Sequence, residues 1–252
     1  MTNAILTVTD LKKVYDGQTA VDGISFAVKK GEIFGILGPN GAGKTTTLEM
    51  IETLRSIDGG TIIIDGLNVA KQPAAVKRII GVQPQTPAFQ DKQKLSEIIE
   101  MFAAAYGEKV DVKEFLDDVD LGEKADSFAE QLSGGQRQRL SIAAALVHSP
   151  KVFFLDEPTT GLDPQARRNL WDLIRQVRDR GVTVIMTTHY LDEAELLCDR
   201  VAIMDRGKII ALDTPRNLVR QLLKRGFTKQ QRVEQASLDD VFIDLTGKAL
   251  RD

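Results

Sequence analysis

The stretch GPNGAGKTT, Gly38 to Thr46, constrains this chain more than any other. It follows the apolar run EIFGIL and precedes KTTTLEMIETL, whose apolar residues recur at helical spacing. A strand that turns through glycines into a helix offers bare backbone N–H groups at the helix's positive end, which is a seat for phosphate. Gly38, Gly43, Lys44 and Thr45 stand in the register Gly-x-x-x-x-Gly-Lys-Thr, with Pro39, Asn40, Gly41 and Ala42 between and Thr46 after. The glycines let backbone wrap phosphate oxygens, Lys44 reaches the outer phosphates, and the Thr45 hydroxyl suits Mg²⁺.

Such a loop belongs to an α/β fold, and the rest of the chain agrees. AILTVTDLKKVY and ISFAV read as strands separated by the turn-like DGQ and DG, and GGTIIIDG adds another. The middle is helical: KLSEIIEMFAAAYG, VKEFLDDVDLG and GQRQRLSIAAALVHS succeed one another with little strand signal. The last third alternates strand and helix from VFFL to GKIIAL. Alternation predicts a parallel sheet wrapped by helices, with the helical middle as an inserted lobe.

A triphosphate site needs carboxylates, and KVFFLDEP supplies two. The buried run Val152 to Leu155 ends abruptly in Asp156 and Glu157. Ligands of parallel sheets sit beyond the carboxyl ends of the strands, so both acids are expected near the phosphates. Asp156 suits the metal's waters. Glu157 is placed to orient or deprotonate an attacking water, an effect of roughly 10²–10⁴ in rate. His189 comes after VTVIMTT in the same topological way, whereas His148 ends an apolar helical run and reads as structural.

A second anion seat, LSGGQ at Leu132 to Gln136, opens a helix far from the first. With it the chain resembles the nucleotide-binding subunit of an ATP-binding cassette transporter, from about Leu6 to Leu223. GPNGAGKTT matches that family's Walker A, VFFLDE its Walker B, LSGGQ its signature, TTGLD its D-loop with Asp163 in the key place, and TTH its switch His189. The resemblance implies a P-loop NTPase core with a mixed sheet, an antiparallel β subdomain and a helical subdomain inserted at about 86–150. It further implies a homodimer that sandwiches ATP, each chain lending Ser133, Gly134, Gly135 and Gln136 to its partner's nucleotide. Tyr15 matches the aromatic that stacks on adenine. For the metal-sensing glutamine, GVQPQ offers Gln83 and Gln85, and Gln85 is the better match because a proline precedes it. KLSEIIEMF departs from the family's usual wording where membrane subunits are touched, which leaves the partner's identity open.

By resemblance, residues 1–223 form the ATPase domain and 224–252 a short extension. Its SLDDVFIDLTG is similar to the close of bacterial drug- and antibiotic-export subunits. Arg220, Lys224, Arg225, Lys229 and Arg232 read as a solvated basic stretch, the alternative being a lipid-headgroup contact, and Leu238, Val241, Phe242 and Leu245 as a face that docks on the chain's own core or on its dimer mate. The implied function is the ATPase of an exporter, peripheral on the cytoplasmic face of the membrane and working with a separate integral permease. The alternative is a soluble cassette ATPase of the iron–sulfur assembly type. No run approaches the ~18 apolar residues of a membrane span. A net charge of −3 gives no basic excess for nucleic acid, and the single Cys198 excludes an intrachain disulfide and reads as core. A guanine-reading Asn-Lys-x-Asp and a kinase acceptor site are both missing from the sequence.

Overall fold

In the computed structural model, residues 4–90 and 92–227 are described. The expectations on Lys229, Arg232, Leu238, Val241, Phe242 and Leu245 lie outside them. Two sheets organise residues 4–213. The first is antiparallel, ordered β2-β1-β4-β5, from β1 (Ala4–Tyr15), β2 (Gln18–Lys29), β4 (Gly59–Ile64) and β5 (Leu67–Asn68). The second is ordered β10-β9-β3-β8-β7-β6, from β3 (Ile33–Leu37), β6 (Ile80–Gln83), β7 (Val152–Asp156), β8 (Thr183–Thr188), β9 (Arg200–Asp205) and β10 (Lys208–Asp213). Its strands run parallel except β10, which pairs antiparallel with β9, so the sheet is mixed.

Strands β3, β7 and β8 are buried at every residue, as continuous apolar runs in a parallel sheet should be. Gly35 lies mid-β3 because Cys198 fills its neighbourhood: a Cβ there would come within 2.6 Å of the sulfur. That confirms Cys198 as a packed core residue. Two expectations need correcting. DG at Asp22–Gly23 is no turn; β2 runs through it, with Gly23 at φ 65° beside a shift in the β1–β2 register. The hairpin turn between the two strands is Asp16–Gly17, both at positive φ. Strand β6 was not expected at all, since IIGVQ is short and abuts a proline.

The helices α1 (Lys44–Ile51) and α2 (Pro73–Lys77) come after β3 and β5. Between β6 and β7 lies the helical insert: α3 (Leu95–Tyr106), α4 (Val112–Asp117) and α5 (Gly134–Leu146). Then α6 (Pro164–Asp179) and α7 (Leu191–Leu197) alternate with β8 and β9, and α8 (Pro215–Lys224) comes after β10. Along α8 the basic residues Arg220 and Lys224 are exposed, as expected of a solvated face. His148 is structural too: Nε2 donates to the Ile80 carbonyl at 2.9 Å and its ring stacks on Tyr106 at 3.8 Å.

Glu52, just past α1, is buried against this core, and its Oε1 has no hydrogen-bond partner. Burial first, then the charges of Asp156 and Glu49, push its carboxyl up to about 8. A carboxyl raised in the folded state binds its proton more tightly there than in the unfolded chain. It therefore erodes stability as pH climbs from the ordinary carboxylate range toward 8. Between pH 5 and 8 the loss is on the order of 3 kcal/mol. Glu52→Gln should abolish that slope, and thermal melts at the two pH values would read it. An unchanged slope would mean that Glu52 is ionised in the fold.

Candidate functional site

The parallel register aligns three strand ends. Leu37 of β3 pairs with Thr188 of β8, and Asp156 of β7 pairs with Thr187. Just past these ends the glycine loop, Glu157 and His189 converge. Two loop glycines are dictated by the chain itself, because a Cβ on Gly38 would lie 2.2 Å from the Met204 carbonyl oxygen and one on Gly43 2.4 Å from that of Ala20. Gly43, at φ 99°, caps α1.

Lys44 is the centre of the arrangement. Its side chain is only 4% exposed, and the ammonium donates to the carbonyls of Gly38 at 2.9 Å and Pro39 at 3.2 Å. It also pairs with Glu157 Oε1 at 3.1 Å, while Glu157 Oε2 stands 3.1 Å from His189 Nδ1. Burial alone would raise the Glu157 carboxyl, but the bonds from Lys44 and then His189 outweigh it and hold it below the usual range. Glu157 has φ 45°, a strained value for a non-glycine residue of the kind that collects at functional sites. Its N–H donates to Thr187 Oγ1 at 3.0 Å.

Asp156 accepts from the hydroxyls of Thr45, at 3.3 Å, and Thr187. Burial raises its carboxyl; those two bonds oppose the rise. Asp156 is thus no helix cap: Asp163 caps α6, accepting from the Ala166 N–H at 2.8 Å. Thr187, which the sequence patterns do not single out, is the tie between both acids. Its signal is a pair of threonines ending an otherwise apolar strand, VIMTT. Glu193 was also missed: it is fully buried and accepts from Thr159 at 2.9 Å and Trp171 at 3.0 Å, pinning α7 to α6.

The other expected residues lie apart from this cluster. Gln83, fully buried at the end of β6, has an amide oxygen without a hydrogen-bond partner, and Gln85 is exposed two residues on. Tyr15 ends β1, with the Lys13 ammonium 5.3 Å and the Arg55 guanidinium 5.6 Å from its ring centre. Ser133 caps α5 in a capping box, its Oγ accepting from the Gln136 N–H at 3.3 Å while Gln136 Oε1 accepts from Ser133 at 3.1 Å and Lys124 at 3.2 Å. The Ser133 hydroxyl keeps its own proton to donate. Gly134 is exposed and has no positive φ, and a Cβ there would meet only Leu162 at 3.9 Å. Among the described residues nothing requires a glycine at that position.

Residues 21–160 match the profile of the family described as ABC transporter. The chain belongs to that family. A linearmycin resistance ATP-binding protein of Bacillus subtilis is 42% identical over 223 residues, 86% of this chain and 72% of its own. A Nod factor export ATP-binding protein of Ralstonia nicotianae is 40% identical over 220 residues, 85% and 68% of the two chains. A solved ATP-binding subunit of an ABC transporter superposes with a TM-score of 0.78 at 31% identity, covering 96% of this chain and 99% of that one. This ABC protein is accordingly an ATP-binding, ATP-hydrolysing subunit of a transporter, and membership implies a membrane permease partner. Its relatives carry resistance and export names, which disfavours the soluble iron–sulfur alternative. Among the described residues no helix is long and apolar enough to cross a membrane.

Proposed function

We propose that this chain is the motor of an exporter of drug-, antibiotic- or lipid-like molecules, peripheral on the cytoplasmic face and bound to an integral permease. Residues 1–223 are its ATPase domain, with 86–150 as the helical subdomain and 224–252 as an extension. The observation that carries the chemistry is the chain of contacts Lys44–Glu157–His189, two links of 3.1 Å each behind the glycine loop.

In this reading residues Gly38 to Thr46 wrap the ATP phosphates, Tyr15 stacks on adenine, and Lys44 takes the outer phosphates. A phosphate at Lys44 takes over the contact that Glu157 makes. Glu157 then loses its largest lowering influence while burial, which raises its carboxyl, persists. Its basicity rises at the moment a water needs a base, and His189 keeps the carboxylate oriented. The Thr45 hydroxyl and Asp156 converge within 3.3 Å and suit Mg²⁺ and its waters, with Gln85 closing the set from the segment that joins the insert to the core. The ion would neutralise charge on the phosphates.

The signature seat serves a second copy of the chain. Ser133 and Gly134 are exposed at the start of α5, and the openness at Gly134 supports an approach from outside. Asp163, at the start of α6, belongs to the same dimer face. Driving such a dimer from 1% to 99% closed takes about 5.5 kcal/mol of preferential ATP binding. Charge-assisted hydrogen bonds contribute about 1.5–3 kcal/mol each, so a few made on both sides of each nucleotide suffice. Export, rather than another transport direction, is supported by the names of the relatives. Purification from membranes should bring down a polytopic protein, identified by mass spectrometry. Recovery with soluble scaffold proteins alone would overturn the transporter assignment.

A further inference from the structure

At the end of the parallel sheet away from the glycine loop, a cavity of about 380 Å³ opens between the helical insert and the core. Lys30, Lys151 and Val182, which line it, immediately precede or nearly precede β3, β7 and β8, so it lies at the strands' amino ends. Its volume falls in the range of small-molecule sites, roughly 300–1,000 Å³. Phe115 and Val119 of the insert and Leu173 and Val177 of α6 contribute its apolar lining.

The rim is charged, and its charges do not cancel. Asp65 pairs with Lys151, and Asp118 of the insert pairs with Arg180 of the core at 2.7 Å. Lys30 makes no ion pair among the described residues and is exposed. Among the described residues one cation, Lys30, is therefore left over in the lining of an apolar hollow. A ligand matched to that asymmetry has one negative charge and one apolar body.

We propose that this cavity binds a small monoanionic amphiphile, a carboxylate on a single apolar tail, with the head at Lys30 and the tail among Phe115, Val119, Leu173 and Val177. The site is separate from the ATP site, so occupancy of one does not exclude the other. Because its walls come from both the insert and the core, a bound tail bridges them.

The test is calorimetric titration of the full chain with decanoate, below its micelle threshold and at low salt. One saturable site with a dissociation constant below about 1 mM is expected. Lys30→Glu, an exposed change that leaves the apolar lining intact, should weaken it at least about tenfold by reversing the rim charge. Decanol should bind without that sensitivity, and saturating ATP should not displace decanoate. The proposal fails if no saturable binding appears, if Lys30→Glu binds decanoate as wild type does, or if ATP competes. The ATPase reading would survive any of those outcomes.

Discussion

Lys44→Ala should cost this chain its tight ATP binding, with an affinity at least about 100-fold weaker by equilibrium dialysis. Lys44 is the cation the glycine loop holds in place, bonded to the loop's own Gly38 and Pro39 carbonyls. Its position is therefore fixed before phosphate arrives, and little ordering entropy remains to be lost on binding. Two charge-assisted bonds at about 1.5–3 kcal/mol each set the scale of the loss. Removing Lys44 also strips the buried Glu157 of its lysine partner, leaving only His189, so a folding defect could imitate a binding defect. The double variant Lys44→Ala with Glu157→Gln separates them: it leaves no buried carboxylate short of its cation, so stability returns while ATP binding stays lost. Wild-type affinity in a folded Lys44→Ala chain would remove the loop from the phosphate role.

Much of this was legible in the sequence because it rests on rules that act locally. The glycine register, the acids ending an apolar strand and the histidine after another are each written in consecutive residues, and strand-end convergence in a parallel sheet joins them. What was not legible depends on packing between distant segments. Strand β6 is four residues long, Ile80–Gln83, and exists only by pairing with β7. The DG at Asp22–Gly23 has turn chemistry, yet the long β1–β2 pairing absorbs it as an irregularity. Thr187 and Glu193 matter through partners about thirty residues away, Asp156 and Thr159, which no sequence window contains. Gln83 and Gln85 differ in burial rather than in type, since one ends edge strand β6 with its side chain buried and the other comes after an exposed proline.

Glu157→Gln should leave ATP binding intact and slow hydrolysis by roughly 10²–10⁴. Glutamine keeps the shape and an acceptor oxygen for His189, but it cannot take a proton from water. It also cannot hold Lys44 as an ion partner, so the ammonium is left freer for phosphate and ATP affinity should hold or rise. If two copies clasp the nucleotide as proposed, stalled hydrolysis leaves it between them, and gel filtration with ATP and Mg²⁺ should show a dimer. Adding Gly134→Asp tests which surface makes that dimer. Among the described residues a Cβ there would meet only Leu162, at 3.9 Å, so the backbone has room for a side chain, and Asp would place a carboxylate where the partner's phosphates would approach. The double variant should bind ATP and run as a monomer. Turnover by Glu157→Gln at the wild-type rate would take the base role from Glu157, and a dimer that persists through Gly134→Asp would place the contact somewhere other than the start of α5.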